Sequence, residues 1–152
     1  MTTQSLTDFF RDKRAHAGGE NVDWEKKRVE WVASVDELYE LVVGQYLATA
    51  IANGSVAVSY RPKAITEDFV GTYEVRELVL HVGAETVVFS PKGANIVGAA
   101  GRIDLQGEMG EATLVLQPAG QWALVAQRVP TLRLLPLEEQ SLLSALKDVM
   151  RP

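Results

Sequence analysis

From Val35 onward the apolar residues Val35, Leu38, Leu41, Val42 and Tyr46 recur at three- and four-residue intervals. That spacing lines one face of a helix. Ser34 with Glu37 three residues later has the form of a capping box, so a helix is predicted over Val35 to Thr49. Leu47 and Ile51 widen its stripe, and Gly44 inside it predicts close approach to a neighbouring element. Just upstream, Arg28 to Ala33 alternates, with Val29 and Trp31 on one side, which predicts a half-buried strand. Lys26-Lys27-Arg28, enclosed by Asp23, Glu25 and Glu30, then reads as a solvated charged turn.

After Asn53-Gly54 the period changes to two. Val56, Val58 and Tyr60 share a face until Pro62 stops the run. Thr72 to Val82 alternates at first and loses alternation at Leu78-Val79-Leu80, as a strand buried on both faces or containing a bulge would. Further strands are predicted at Thr86 to Phe89, Arg102 to Leu105, Ala112 to Leu116, Trp122 to Ala126 and Thr131 to Leu135, joined by glycine and proline turns. Pro136 suits a helix's first turn, and Leu142, Leu143, Ala145, Leu146 and Val149 give the last helix its apolar side. The expectation is an α+β fold: an antiparallel, strongly curved β-sheet packed with helices, including a C-terminal helix. Ahead of it, Ser5, Leu6, Phe9 and Phe10 suggest a short helix over 5 to 15, broken at Gly18-Gly19. The division is therefore an N-terminal arm at 1–20 and a single α+β domain at 21–152.

The chain has 152 residues, 47% of them apolar, and no cysteine. This length suits one domain able to bury a core unaided. Disulfides and thiol chemistry are excluded. The net charge is -5, and the first thirty residues hold six acidic and six basic groups, so the excess falls on the body. An acidic body argues against nucleic-acid binding, which needs clustered Lys and Arg. The N-terminus lacks a basic region followed by an apolar run, and Leu41 to Ile51 is too short to span a bilayer. The expected location is the cytoplasm, with no membrane partner.

Candidate chemistry is sparse. Gly93 to Arg102 is rich in glycine, but Ala99 and Ala100 stand where a phosphate loop needs lysine and a hydroxyl. The glycines, Gly98 and Gly101 among them, are expected to permit turns or close backbone approach. His16 and His81 lie far apart, and Asp104, Glu108 and Glu111 lack the spacing of a calcium loop, so no metal or other cofactor is expected. For acid-base catalysis the best local set is Tyr73, Glu77 and His81, spaced to share one strand face. Trp31, Tyr46 and Trp122 are assigned to core packing, whereas Phe9, Phe10 and Trp24 are the interface candidates. The reading that follows is a noncatalytic protein-binding or accessory domain, with a protein partner or self-association. An immunity or inhibitor protein facing a basic toxin or nuclease is one form of it. A small-ligand binding domain is the alternative, followed by a small hydrolase or isomerase using His81 and Glu77.

Overall fold

The computed structural model describes Leu6 and residues 23–94, 99–127 and 132–152. The expected arm helix with Phe9 and Phe10, together with His16 and Gly98, lies outside the described residues.

Helix α1 runs from Trp24 to Leu41 and starts where Asp23 accepts the Lys26 amide at 2.9 Å. The strand expected at Arg28 to Ala33 is therefore wrong, because those residues are helical. Trp31, Val35, Leu38, Tyr39 and Val42 form one buried stripe at spacings of four, three, one and three. Val29, two residues from Trp31, falls elsewhere on the cylinder and is 56% exposed. Its alternation with Trp31 is incidental. Nor is the charged run a turn: Lys26 pairs with Glu30 and Arg28 with Glu25 along the helix surface.

The chain continues through one π-helical turn, Val42–Tyr46, in which the Leu47 amide reaches back to the Val42 carbonyl, and then the short helix α2, Ala48–Ala52. Among the described residues nothing stands within 4 Å of a side chain built on Gly44, so the close approach expected there is not found among them. Gly54 takes a positive φ of 81° and Asn53 accepts the Ser55 amide, which turns the chain into the sheet.

Among the described residues seven antiparallel strands follow, each paired with the next: β1 Ala57–Glu67, β2 Gly71–Val82, β3 Glu85–Gly93, β4 Gly101–Gly107, β5 Gly110–Leu116, β6 Trp122–Gln127 and β7 Arg133–Pro136. The sheet is open, with β1 and β7 as separate edges, and the expectation of strong curvature is overturned. Of the two readings of Leu78 to Leu80, burial on both faces holds and the bulge does not. β2 keeps unbroken register with both neighbours, and the slips fall at Pro91/Gly93 and Val125/Gln127. Pro62 does not end β1, because an edge strand needs no outward amide at that position.

One side of this sheet meets the helices. Leu78 pairs with Phe89, Phe89 with Leu105, and Ile103 with Leu114, and all five are fully buried in one cluster with the α1 stripe. Helix α3, Glu139–Val149, begins at a reciprocal Glu138/Ser141 cap and presses Leu142, Ala145 and Val149 onto β4 and β5. Pro136 closes β7 instead of opening this helix. Two glycines admit the helices to the sheet. A Cβ on Gly101 would overlap the Trp31 ring, and one on Gly107 would meet the Val149 carbonyl.

Gly101→Ala should therefore cost about 1–3 kcal/mol by displacing Trp31. Urea unfolding measures it, and an unchanged midpoint would contradict the seating of Trp31 on β4.

Candidate functional site

The sheet side opposite the helices carries a polar row across its middle. Arg61 on β1 lies opposite Glu77 on β2, Ser90 opposite Asp104, and Asp104 opposite Thr113. By alternation these side chains point away from Leu78, Phe89 and Leu105. Glu77, Ser90, Asp104 and Thr113 are nonetheless buried, which obliges them to find partners. Arg61 Nε donates to Glu77 Oε1 at 2.7 Å, the Ser90 hydroxyl bonds the same carboxylate, and Lys63 Nζ donates to Ser90 Oγ at 2.8 Å. Burial alone would raise the Glu77 pKa. The Ser90 bond, Arg61 and Lys63 outweigh it and hold the carboxyl below its ordinary value. Asp104 is bonded by Arg102 at 2.8 Å, and that bond raises the Arg102 pKa. Glu108, from the same loose acidic group in the sequence, pairs instead with Arg151.

The three acid-base candidates each serve a different partner. The Tyr73 hydroxyl donates to Glu67, and burial followed by that bond raises its pKa. Glu77 belongs to the row just described. His81 is exposed and shares a hydrogen bond of 2.9 Å with Ser59 Oγ. Four strand residues span about 13 Å, so successive members of this set stand too far apart to act on one bond. The structure leaves them separate.

A second constellation lies where α1 meets the β1–β2 hairpin. The hairpin turn holds Phe69 at a φ of 67°, a left-handed conformation that is an outlier for a bulky side chain. Phe69 stacks on Trp24 with ring centroids 5.5 Å apart and planes at 22°, yet remains 58% exposed. Lys27 Nζ stands 5.0 Å from the centre of the Trp24 ring. Trp24, an interface candidate from the sequence, is thus half-buried, and its indole nitrogen is buried without a hydrogen-bond partner among the described residues. One helical turn further on opens a shallow groove lined by Val29, Val32 and Ala33 from α1 and by Tyr73 and Glu74 from β2.

Below the groove, Asp36 receives Arg76 at 3.0 Å, and the Arg76 guanidinium lies over the Tyr60 ring at 4.3 Å. Helix and hairpin are held together there.

Sequence reasoning missed Phe69, Lys63 and the role of Ser90. A charged residue inside an otherwise apolar strand, as at Glu77 and Asp104, was the available signal for the polar row. Phe69 offered none, because its exposure depends on a backbone angle that the residue type disfavours. No group of three or more His, Asp or Glu side chains among the described residues could hold a metal ion. None of the described helices is long and apolar enough to cross a membrane.

The depressed Glu77 carboxyl stabilises the fold above the ordinary carboxylate pKa, and that contribution is lost as pH falls through the lowered value. Glu77→Gln should cost about 1–2 kcal/mol at pH 7, a modest figure because Arg61 is largely solvated. The gap to the parent should shrink as the pH is lowered below 4 or so. Denaturant titrations across pH give the measurement, and a gap independent of pH would show that the charge is not what Glu77 contributes.

Comparison with family models, curated proteins and solved structures found no match.

Proposed function

We propose that this is a noncatalytic protein-binding module acting in the cytoplasm, and that the groove between α1 and the β1–β2 hairpin, with Phe69 and Trp24 at its end, is its contact surface. The observation that carries the reading is Phe69. A left-handed backbone at such a residue costs about 1–3 kcal/mol, which glycine would avoid. Here the cost keeps a large apolar ring in solvent beside a second aromatic residue. Aromatic anchors with a charged rim are the usual make-up of a binding hot spot.

The rim indicates the partner. Arg28 is paired with Glu25, and Lys27 lies over Trp24, whereas Glu74 has no bonded partner among the described residues. With a net charge of -5 behind it, this surface suits a segment that presents an aromatic or aliphatic anchor flanked by Lys or Arg. An immunity or inhibitor protein facing a basic toxin or nuclease is one form such a module could take.

Selection from a displayed library of random peptides on the full chain tests the reading. Enriched peptides should share an apolar anchor with neighbouring basic residues, and they should lose binding at least about tenfold, some 1.4 kcal/mol, with Phe69→Gly or Glu74→Lys. Phe69→Gly also removes the backbone strain in exchange for an aromatic stack of about 0.5–1.5 kcal/mol, so its thermal stability should be retained or raised. Peptides that bind both variants as they bind the parent would refute the assignment, as would a selection without enrichment.

A further inference from the structure

The sheet side opposite the helices holds Lys63, and beside it Lys92, two ammonium groups with no carboxylate oxygen within 4.0 Å among the described residues. Lys63, on edge strand β1, spends two of its three donors on uncharged acceptors: Ser90 Oγ at 2.8 Å and the Pro91 carbonyl at 2.7 Å. Lys92 follows directly after that carbonyl, two residues beyond Ser90 on β3, and its side chain is exposed. Burial first, and then the charge of Lys92, lower the Lys63 pKa against the opposing pull of Glu77 and Asp104, so the two ammonium groups feel one another.

The acids that could relieve them are already engaged. Glu77 is bonded by Arg61 and Ser90, and Asp104 by Arg102. Neither lysine comes within 4.0 Å of a carboxylate oxygen among the described residues. Arg61 stands two residues from Lys63 on the same strand face, with its side chain 56% exposed and its bond to Glu77 made through Nε. A protein with five excess negative charges thus carries Arg61 and Lys63 on β1 and Lys92 on β3, and among the described residues only Arg61 of the three has a carboxylate oxygen within 4.0 Å.

We propose that Lys63 and Lys92, with Arg61 at the rim, form a binding site for a small phosphate-type oxyanion. A dianion placed between the two ammonium groups turns their repulsion into two charge-assisted hydrogen bonds. The third Lys63 donor and the exposed Lys92 group supply those bonds, and Ser90 and Pro91 hold Lys63 in position. The site lies on the polar side of the sheet and is independent of the aromatic groove.

The test is an NMR titration of the full chain, labelled at lysine side chains, with inorganic phosphate at constant ionic strength maintained by sodium chloride. Lys63 and Lys92 signals should move together and saturate, while those of Lys26 and Lys147 stay in place. Lys92→Gln, an exposed substitution that leaves the Ser90 and Pro91 bonds untouched, should weaken the binding about tenfold. Lys63→Gln should abolish the saturable shift, with circular dichroism verifying its fold. Linear, unsaturated shifts common to all lysines would overturn the proposal, and so would unaltered binding by Lys92→Gln.

Discussion

Everything in this fold depends on seating the α1 stripe against one side of an open sheet. Trp31 lies on Gly101 of β4, where even a methyl group would intrude, and approaches Trp122 with ring centroids 5.9 Å apart. Tyr39 sits two turns on, fully buried, and its hydroxyl donates to the Arg76 carbonyl at 2.8 Å and lies 3.3 Å from the Phe89 carbonyl. Arg76 lies on β2 just beyond its last pair with β3, Leu78 with Phe89. The hydroxyl therefore gives the Arg76 carbonyl a partner where the β2–β3 ladder ends. Burial, followed by the charge of Glu77, raises the Tyr39 pKa and keeps the phenol protonated as the donor this contact requires.

Because the sheet is open and its helices lie on one side, the other side must be made acceptable to water without falling apart. The row from Arg61 to Thr113 does this by interleaving charges with small hydroxyl side chains, so that each buried polar group meets one from the adjacent strand. The long edge strand β1 carries Pro62 and two cations, which discourage another chain from pairing with it. The β1–β2 hairpin reaches past β3, and its outer half packs Ile65, Tyr73 and Val75 into the cluster that contains Trp31 and Ala94. That extension is what brings Phe69 to Trp24 and creates the groove.

The α+β class, the antiparallel pairing and the last helix were legible in the sequence because strand and helix periods differ and their turns carry Gly, Asn or Pro. The first half of α1 was not. Val29 and Trp31 are two apart, and a pair of apolar residues at that spacing fits a strand as well as opposite sides of a helix. The ion pairs Lys26–Glu30 and Arg28–Glu25 held the corrective information, since charges three and four apart support a helix. The lost alternation at Leu78 to Leu80 left two readings, a bulge or burial on both faces, and the unbroken register of β2 with both neighbours selects the second. Of the candidate site residues, Trp24 and Glu77 were visible by type, whereas Phe69 and the Lys63–Lys92 pair depend on register and backbone angle, which composition and spacing do not encode.

Native-state amide hydrogen exchange followed by mass spectrometry tests the central dependence most directly, because it reads the stability of α1 and of the sheet in one experiment. If the stripe of Trp31, Val35, Leu38, Tyr39 and Val42 is what closes the core, amides from Trp31 to Leu41 should exchange as slowly as those of the central strands β2 to β4. Their protection should also be lost together with that of the strands in denaturant. Exchange along α1 that runs orders of magnitude faster than in those strands would contradict the account, since the sheet would then hold without its helix.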